Sequence, residues 1–177
     1  MSSLLILDAE TSGLSPHTAG IVELAAVAIQ DGAVVSEWSS LAWPGFPFIK
    51  EPTHHEVLAR VSGISPALLL DAPDLEEVGR AFLNWGMKAL GELPLPVTSY
   101  NRAFDEPFVK AHLPYVQARL RWGECLMLRA MRHLAVSRWT SLARTCELLG
   151  IEQGEAHRAL SDARAGGQIW LALEERD

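Results

Sequence analysis

Two carboxylates near the start of the chain, Asp8 and Glu10, have the spacing of a paired acidic site. They follow the continuous apolar run Leu4–Leu7, which is typical of a buried central strand. Positions i and i+2 of a strand point to the same face, so the two carboxylates project together. Unpaired, they would repel each other and be costly to desolvate, and a hard divalent cation such as Mg²⁺ or Mn²⁺ would resolve both problems. The alternative is a pair of solvated acids at a strand end.

A second polar group, from Asn101 to Asp105, follows a predicted strand and begins a predicted helix. Loops at the carboxyl ends of strands commonly carry functional groups in α/β sheets. Asp105 has a structural alternative, because a carboxylate at a helix start interacts favourably with the helix dipole. Asn101 is equally typical of a turn. The residues alone leave these alternatives open.

A third group consists of His157 and Asp162, which are five positions apart. On one regular helix their side chains would point about 140° apart. We therefore expect His157 to lie just before the helix or in its first turn, where Gly154 permits mobility. The alternatives are a surface histidine and an exposed acid on the helix.

The apolar patterns predict which strands position these groups. Asp31-Gly32 between two apolar runs is a strong hairpin signal, so the first three strands are expected to be antiparallel. Three hairpin strands followed by alternating helices and strands favour an α/β fold, with a mixed five-stranded sheet flanked by helices. That architecture is consistent with a ribonuclease-H-like fold, although the pattern leaves several folds open. The predicted strands are Leu4–Leu7, Ile21–Ile29, Ala33–Ala42, Leu95–Tyr100 and Glu124–Leu126.

Helical periodicity and capping residues predict the intervening helices. Ser65 is expected to cap a short turn, and Asp74 to be the N-cap of a longer helix. Pro107 and Pro114 are expected to interrupt the predicted helix Phe104–Leu120. The predicted helices are Thr53–Arg60, Asp74–Leu90, Phe104–Leu120, Leu128–Leu134, Thr140–Leu149 and Arg158–Glu175, with the short turn after Ser65 besides.

Length and composition limit the class of protein. With 177 residues, 49% of them hydrophobic, the chain is predicted to form a single domain, 1–177, with a substantial core. No apolar run is long enough to span a bilayer, and the N-terminus lacks the basic start of a signal peptide, so we expect a soluble cytoplasmic protein. Cys125 and Cys146 form no CxxC pair, which predicts two reduced, buried thiols.

The net charge of −7 is unevenly distributed along the chain. Residues 1–100 contain 4 Lys/Arg and 12 Asp/Glu, whereas residues 102–144 contain 8 Lys/Arg and 3 Asp/Glu. This basic segment permits contact with phosphates. Ordinary solvated helix faces would explain it equally well. Its basic residues are Arg102, Lys110, Arg119, Arg121, Arg129, Arg132, Arg138 and Arg144.

The three polar groups together resemble the three motifs of the DEDDh 3′–5′ exonucleases, and among these the proofreading (epsilon) subunits of bacterial DNA polymerase III. The resemblance covers roughly residues 4–173 and includes Val22–Val27, Gly63–Ser65 and Ser141–Ala143. Ser62 stands where the family often has His, Ser12 where it usually has Thr, and Glu124 where it has Asp. These departures concern substrate contacts and leave the acids and the histidine intact. The motifs are Asp8-x-Glu10-Thr11-x-Gly13, Asn101-x-x-Phe104-Asp105 and His157-x-x-x-x-Asp162.

The resemblance implies a ribonuclease-H-like fold and phosphodiester hydrolysis with two Mg²⁺ or Mn²⁺ ions about 4 Å apart. It implies that Asp8 bridges both ions, that Glu10 and Asp162 complete the first, and that Asp105 supports the second. His157 would take the proton from the attacking water, a role worth about 10²–10⁴-fold in rate. The products would be a nucleoside 5′-monophosphate and a new 3′-hydroxyl. The implied substrate contacts are Thr11, Leu14, Asn101 and Phe104.

Two alternative functions accompany this hypothesis. The expected substrate is the 3′ end of single-stranded or frayed DNA, but the same motifs occur in RNA exonucleases of the oligoribonuclease and ribonuclease T types. A different class of protein would be an inactive module that docks on a polymerase, against which the intact acids and His157 argue. The chain ends near Asp177, soon after the last predicted helix. We therefore expect a free-standing nuclease or one supplied in trans, with a DNA polymerase as a candidate partner and no membrane.

Overall fold

A mixed five-stranded sheet forms the centre of the computed structural model, which describes residues 3–49, 54, 56, 58, 62–154 and 157–175. The strand order is β3-β2-β1-β4-β5. The first three strands pair antiparallel, and β4 and β5 extend the sheet in parallel with β1. The predicted α/β fold with a mixed sheet is confirmed. The strands are Leu4–Thr11 (β1), Ile21–Gln30 (β2), Ala33–Leu41 (β3), Leu95–Ser99 (β4) and Leu120–Trp122 (β5).

The hairpin between β2 and β3 turns where the sequence predicts it. Asp31 and Gly32 both have positive φ, at 50° and 76°, which is the backbone combination that a two-residue hairpin turn favours. β2 is buried at every position except its last, because structure covers both of its faces. This burial explains why β2 is a continuous apolar run rather than an alternating one.

Helices cover both faces of the sheet. Gly91 ends α2 in the left-handed conformation, and Gly150 ends α6 in the same way. Ser65 caps α1 as predicted, because its hydroxyl accepts a hydrogen bond from the Leu68 amide at 3.4 Å. The described helices are Pro66–Leu70 (α1), Leu75–Leu90 (α2), Arg102–His112 (α3), Pro114–Gln117 (α4), Leu126–His133 (α5), Leu142–Leu149 (α6) and Ala159–Glu174 (α7), with a 3₁₀ turn at Phe46–Phe48.

Alternation along β1 decides which face receives the acidic pair. Leu5 and Leu7 belong to the core between the sheet and α2, whereas Leu4 and Ile6 belong to the core between the sheet and α7. Even-numbered side chains of β1 therefore point toward α7. Asp8 and Glu10 continue the even-numbered series beyond the apolar run, so they face the helix that carries Asp162.

Two adjacent glycines let α7 lie close to the sheet. A Cβ on Gly166 would lie 2.8 Å from Cγ2 of Ile6, and a Cβ on Gly167 would lie 2.9 Å from Cγ2 of Val27. Both distances are shorter than a carbon–carbon contact allows, so a side chain at either position would push the helix away from the sheet. The close approach brings the first turn of α7 within reach of the end of β1.

The fifth strand lies earlier in the chain than predicted. It occupies Leu120–Trp122 and pairs in parallel with β4 through Leu95 and Leu120. The predicted strand at Glu124–Leu126 is wrong, because the Gly123 amide bonds to the Val97 carbonyl at 2.7 Å and the chain then leaves the sheet to start α5. The sequence pattern predicted a helix that ends at Leu120, because three residues are too few for strand periodicity to be recognised.

One other prediction about helices is wrong, and the predicted N-cap position of α2 is confirmed. Pro107 lies inside α3 and does not interrupt it, whereas the chain does break between His112 and Pro114. Asp74 is the N-cap residue of α2, but its side chain forms no capping hydrogen bond within the described part of the chain. The predicted helix Thr53–Arg60 falls largely outside the described residues.

The predictions for the two cysteines are confirmed, since Cys125 and Cys146 are both free and buried. The Cys125 thiol donates to the Tyr100 carbonyl at 3.3 Å. Among the described helices, none combines the length and the apolar character needed to cross a lipid bilayer.

Candidate active site

The carboxyl ends of two parallel strands bring the first two motifs together. β1 and β4 pair side by side, with Leu7 opposite Ser99. Asp8 and Glu10 therefore extend from β1 at the same edge where β4 leads through Tyr100 into α3. A register shift between Glu10 and Thr11 interrupts the pairing of β1 with β2. Such bulges redirect side chains next to functional sites.

Asp105 reaches this edge from the first turn of α3, and it is only 3% exposed. Its amide bonds to the Asn101 carbonyl at 3.3 Å, which fixes the start of the helix. Burial raises the pKa of the Asp105 carboxyl to about 7, although the Ser99 hydroxyl and the Ala9 amide lower it. The buried carboxyl of Asp105 is thus held against β1, the strand that carries Asp8.

Asp162 and His157 form a local unit at the start of α7. The His157 amide donates to Oδ2 of Asp162 at 3.2 Å, and the Gln153 side-chain amide donates to Oδ1 at 3.0 Å. His157 lies two residues before the helix with a left-handed φ of 61°. The prediction that His157 precedes the helix is confirmed. This turn lets the imidazole approach Glu10, and one ligand atom from each of Glu10, His157 and Asp162 lies within 4.8 Å of the other two.

An ion pair between a buried glutamate and a partly exposed arginine attaches the turn to the sheet. Glu23 is opposite Glu10 in the pairing of β1 with β2, and only 3% of it is exposed. Its two oxygens accept hydrogen bonds from the Arg158 guanidinium at 3.0 and 3.2 Å, and one oxygen also accepts from the Ala159 amide at 3.1 Å. Arg158 directly follows His157, so this pair fixes the backbone next to the imidazole.

Mutual repulsion and burial raise the pKa values of the acids. Burial, then the charges of Asp105 and Asp162, raises the pKa of Asp8 well above its usual range. Burial and the charge of Asp162 raise the pKa of Glu10 to about 7. Burial also raises the pKa of Asp162, opposed by its hydrogen bonds from Gln153 and His157. Close-packed carboxylates with this donor chemistry fit hard divalent cations, because a cation removes the repulsion and replaces the lost hydration.

All the residues predicted for the site line one cavity of about 360 Å³. Leu14 stands at its rim with 87% of its surface exposed. The turn that carries Leu14 is fixed by Ser12, whose hydroxyl accepts from the Gly20 amide at 3.0 Å and whose own amide donates to the Gly20 carbonyl. The side chain of Asn101 makes no capping hydrogen bond among the described residues. The predicted residues in this lining are Asp8, Glu10, Thr11, Leu14, Asn101, Phe104, Asp105, His157 and Asp162.

The sequence analysis missed three residues that complete the site. Glu23 had a signal, since it is a single charged residue in the otherwise apolar strand Ile21–Ile29. Gln153 had none, because it orients Asp162 from a loop nine positions away. Trp139 lines the cavity from the connection between α5 and α6. The residues around it in the sequence form no motif that predicts this location.

Several side chains of the basic segment 102–144 are engaged with carboxylates. Arg102 pairs with Glu106 at 2.7 Å, and Arg144 pairs with Glu147 at 2.6 Å. Arg132 and Arg129 pair with Glu124 and Glu174. The excess positive charge of this segment is thus partly neutralised by local ion pairs, as expected for solvated helix faces.

Comparisons with known proteins agree with the fold and the motifs. The exonuclease family model (RNase_T) matches residues 5–169. A DNA polymerase III of the PolC type from Thermotoga petrophila is 30% identical over 176 residues, which are 98% of this chain and 12% of that protein. The chain thus spans about an eighth of the length of this relative. The epsilon subunit of DNA polymerase III from Aquifex aeolicus is 25% identical over 98% of this chain and 81% of that protein.

Solved structures share the architecture. Exonuclease X in complex with 5′ overhanging duplex DNA superposes with a TM-score of 0.73 at 24% identity, covering 98% of this chain and 92% of that chain. The resemblance to DEDDh exonucleases is confirmed by these matches, and divalent metal ions are general to that family. The family match over nearly the whole length, together with the five-stranded sheet, leads to one conclusion: this chain belongs to the exonuclease family.

Proposed function

We propose that the protein is a metal-dependent 3′–5′ exonuclease that removes nucleoside 5′-monophosphates from the 3′ end of single-stranded or frayed DNA. The observation that carries the proposal is the convergence of four carboxylates and an imidazole, from three separate segments, around one cavity. Family membership supports the reaction class. A single exonuclease domain, 1–177, is part of the same proposal.

Asp8, Glu10, Asp105 and Asp162 would hold two Mg²⁺ or Mn²⁺ ions. When bound, these ions supply charge neutralisation at the scissile phosphate and favour ionisation of the attacking water. Burial raises the pKa values of all four carboxyls, and the charges of neighbouring acids add to this for Asp8, Glu10 and Asp162, which supports the assignment because a cation would stabilise the ionised forms. The four carboxylates offer only oxygen ligands, which suit hard cations.

His157 accepts the proton of the water that attacks phosphorus, and the bond from phosphorus to the 3′-oxygen breaks. That oxygen leaves as the new 3′-hydroxyl after taking up a proton. The left-handed turn at His157 holds the imidazole at the cavity, together with the hydrogen bond from the His157 amide to the Asp162 carboxylate. Leu14 packs against the terminal base, while Thr11, Asn101 and Phe104 contact the terminal nucleotide.

The preference for DNA is the finer part of the proposal. The relatives from Thermotoga petrophila and Aquifex aeolicus carry the names of DNA polymerase III proteins, and Exonuclease X has been solved in complex with duplex DNA. By the same likeness, a DNA polymerase is a candidate partner.

The proposal is tested with single-stranded DNA labelled at its 5′ end. With Mg²⁺ or Mn²⁺ the labelled strand should shorten stepwise from its 3′ end, and chelator should stop the reaction. Asp8→Asn should lower the rate by at least about 10³-fold, because a carboxylate that would hold the ions is lost. Asp31→Asn is the matched control, since Asp31 lies exposed in the hairpin turn and should leave the rate unchanged.

The other outcomes separate the alternatives. Equal inactivity of the unaltered protein and Asp8→Asn would replace the proposal with the inactive docking module. Faster degradation of an RNA strand of the same sequence would move the substrate to RNA. A ladder that shortens from the 5′ end would contradict the direction of attack.

A further inference from the structure

Trp139 is the most exposed of the six tryptophans, with 66% of its surface accessible. The other five are half-buried and engaged. Trp38 and Trp85 stack on each other, Trp43 contacts Phe46, Trp122 donates to Gln117, and Arg129 covers Trp170. Trp139 makes no ring contact with any residue that the structure describes. Its indole lines the same cavity as the acids, next to Ser141 and Leu142.

The backbone that carries this exposed indole is held in place. Thr140, the next residue, is buried, and its carbonyl accepts a hydrogen bond from the Tyr100 hydroxyl at 2.9 Å. The same hydroxyl lies 2.7 Å from the Thr145 hydroxyl in α6. Ser141 caps α6 by accepting from the Arg144 amide at 3.2 Å. Since Tyr100 immediately precedes Asn101, the loop of Trp139 is attached to the same strand end that leads to Asp105.

An exposed aromatic side chain on a fixed backbone suits the binding of a flat partner. Tryptophan has only two side-chain torsions, so it gives a large contact area at a small cost in conformational entropy. Every nucleobase offers a π-face for such stacking, whatever its identity. The cavity itself carries acids that repel a phosphodiester backbone, and several nearby arginines are paired with carboxylates. An exposed indole beside the cavity therefore offers the bases of a single strand an apolar stacking contact.

We infer that Trp139 is a stacking platform for a nucleobase of the bound single strand, next to the terminal base that Leu14 contacts. The inference rests on the proposed function and extends it from the reacting nucleotide to its neighbour. It assigns Trp139 to strand binding rather than to bond cleavage. A sequence-tolerant stack of this kind would hold the strand in register while successive nucleotides are removed.

The test compares two substrates for Trp139→Ala and Trp139→Phe. On single-stranded DNA, Trp139→Ala should raise KM by about 5- to 100-fold with kcat nearly unchanged, and Trp139→Phe should recover most of the affinity because it keeps a ring. The methyl ester of thymidine 5′-monophosphate has a single base and no second ring, so the unaltered protein and both variants should hydrolyse it equally. Leu70→Ala is the matched control, since Leu70 is 68% exposed outside this cavity.

Abasic substitutions locate the contact. Removing the base next to the 3′ terminus should weaken binding to the unaltered protein, and the same change should have little further effect on Trp139→Ala. Equal KM values for the unaltered protein and Trp139→Ala, or equal loss from the abasic change in both, would overturn the inference while leaving the proposed function intact. A loss of ester hydrolysis in Trp139→Ala would show a structural role instead. Inactivity of the unaltered protein on both substrates would remove the proposed function and the inference with it.

Discussion

At the scale of single residues, the acids of the site lie close together although their charges repel, because strand and helix positions hold them there. Asp8 and Glu10 share one face of β1, and Asp162 faces them from α7. His157 adopts a left-handed backbone, which costs about 1–2 kcal/mol for a residue with a side chain. The hydrogen bond from its backbone amide to the Asp162 carboxylate offsets part of that cost. The imidazole is thereby kept beside the acids.

The first prediction concerns this imidazole. His157→Asn should lower kcat by about 10²–10⁴-fold, because the proton acceptor is lost. Asparagine tolerates the left-handed backbone, so the turn should persist and Mn²⁺ should still bind. Single-turnover rates and calorimetric titration with Mn²⁺ measure the two quantities separately. His17→Asn, at an exposed histidine, serves as the control, and a rate within threefold of the unaltered protein for His157→Asn would remove His157 from the proposed role.

At the scale of elements, α7 carries one motif and must be placed accurately on β1 and β2. Gly166 and Gly167 permit its close approach, and Glu23 attaches its first turn through Arg158. The contact between Glu23 and Arg158 spans 135 positions of sequence, so it joins the second strand to the last helix. The Glu23 side chain is buried and the Arg158 guanidinium is partly exposed. Loss of the ion pair would therefore cost more at Glu23, whose charge would be left buried without its partner.

The second prediction is that Arg158→Ala uncouples the His157 turn from the sheet. We expect kcat to fall about tenfold or more with a smaller change in KM, since the imidazole loses its position while the substrate contacts remain. Arg158→Lys should keep part of the activity, because one hydrogen bond to Glu23 survives. Steady-state kinetics on single-stranded DNA provide the measurement.

The matched control for this change lies on the same helix. Arg164 forms a similar pair with Glu37, but both side chains are exposed to solvent and neither lines the cavity. Arg164→Ala should leave kcat unchanged and cost less than about 1 kcal/mol of stability. If both alanine variants lost activity to the same extent, the pair with Glu23 would have no special positioning role.

At the scale of the whole molecule, the acidic cluster links folding, pH and metal binding. The pKa values of Glu10 and Asp105 rise from 4.5 and 3.8 to about 7 on folding, so the metal-free folded chain binds more protons than the unfolded chain between these values. The stabilisation from these groups is therefore fully present below pH 4 and is lost as pH rises through about 7. A cation that displaces the protons reverses this loss.

The third prediction follows from that linkage. The Tm of the metal-free protein should fall by about 3–8 °C between pH 5 and pH 8 at constant ionic strength. Saturating Mn²⁺ should raise Tm more at pH 8 than at pH 5, because protons compete with the cation at the lower pH. Asp105→Asn should reduce both the fall of Tm with pH and the difference between the Mn²⁺ effects at pH 5 and pH 8. A Tm that rises with pH in the absence of metal would contradict the raised pKa values.

Local patterns predicted much of the fold and most of the candidate site. Asp31-Gly32 predicted the first hairpin, and the apolar run before Asp8 predicted the central strand. The short strand Leu120–Trp122 escaped prediction because its pairing with β4, not its own three residues, defines it. Pro107 was expected to interrupt a helix, yet α3 continues through it in the packed protein.

The sequence by itself determined the chemistry: the types of ionisable groups, their order, and the face of β1 from which two of them project. Those properties follow from local spacing, because side-chain direction in a strand repeats every two residues. Only the tertiary structure decided that Glu23 holds Arg158, that Gln153 orients Asp162, and that Trp139 reaches the cavity. Such contacts depend on how distant segments pack, and no local period encodes which side chains the packing brings together.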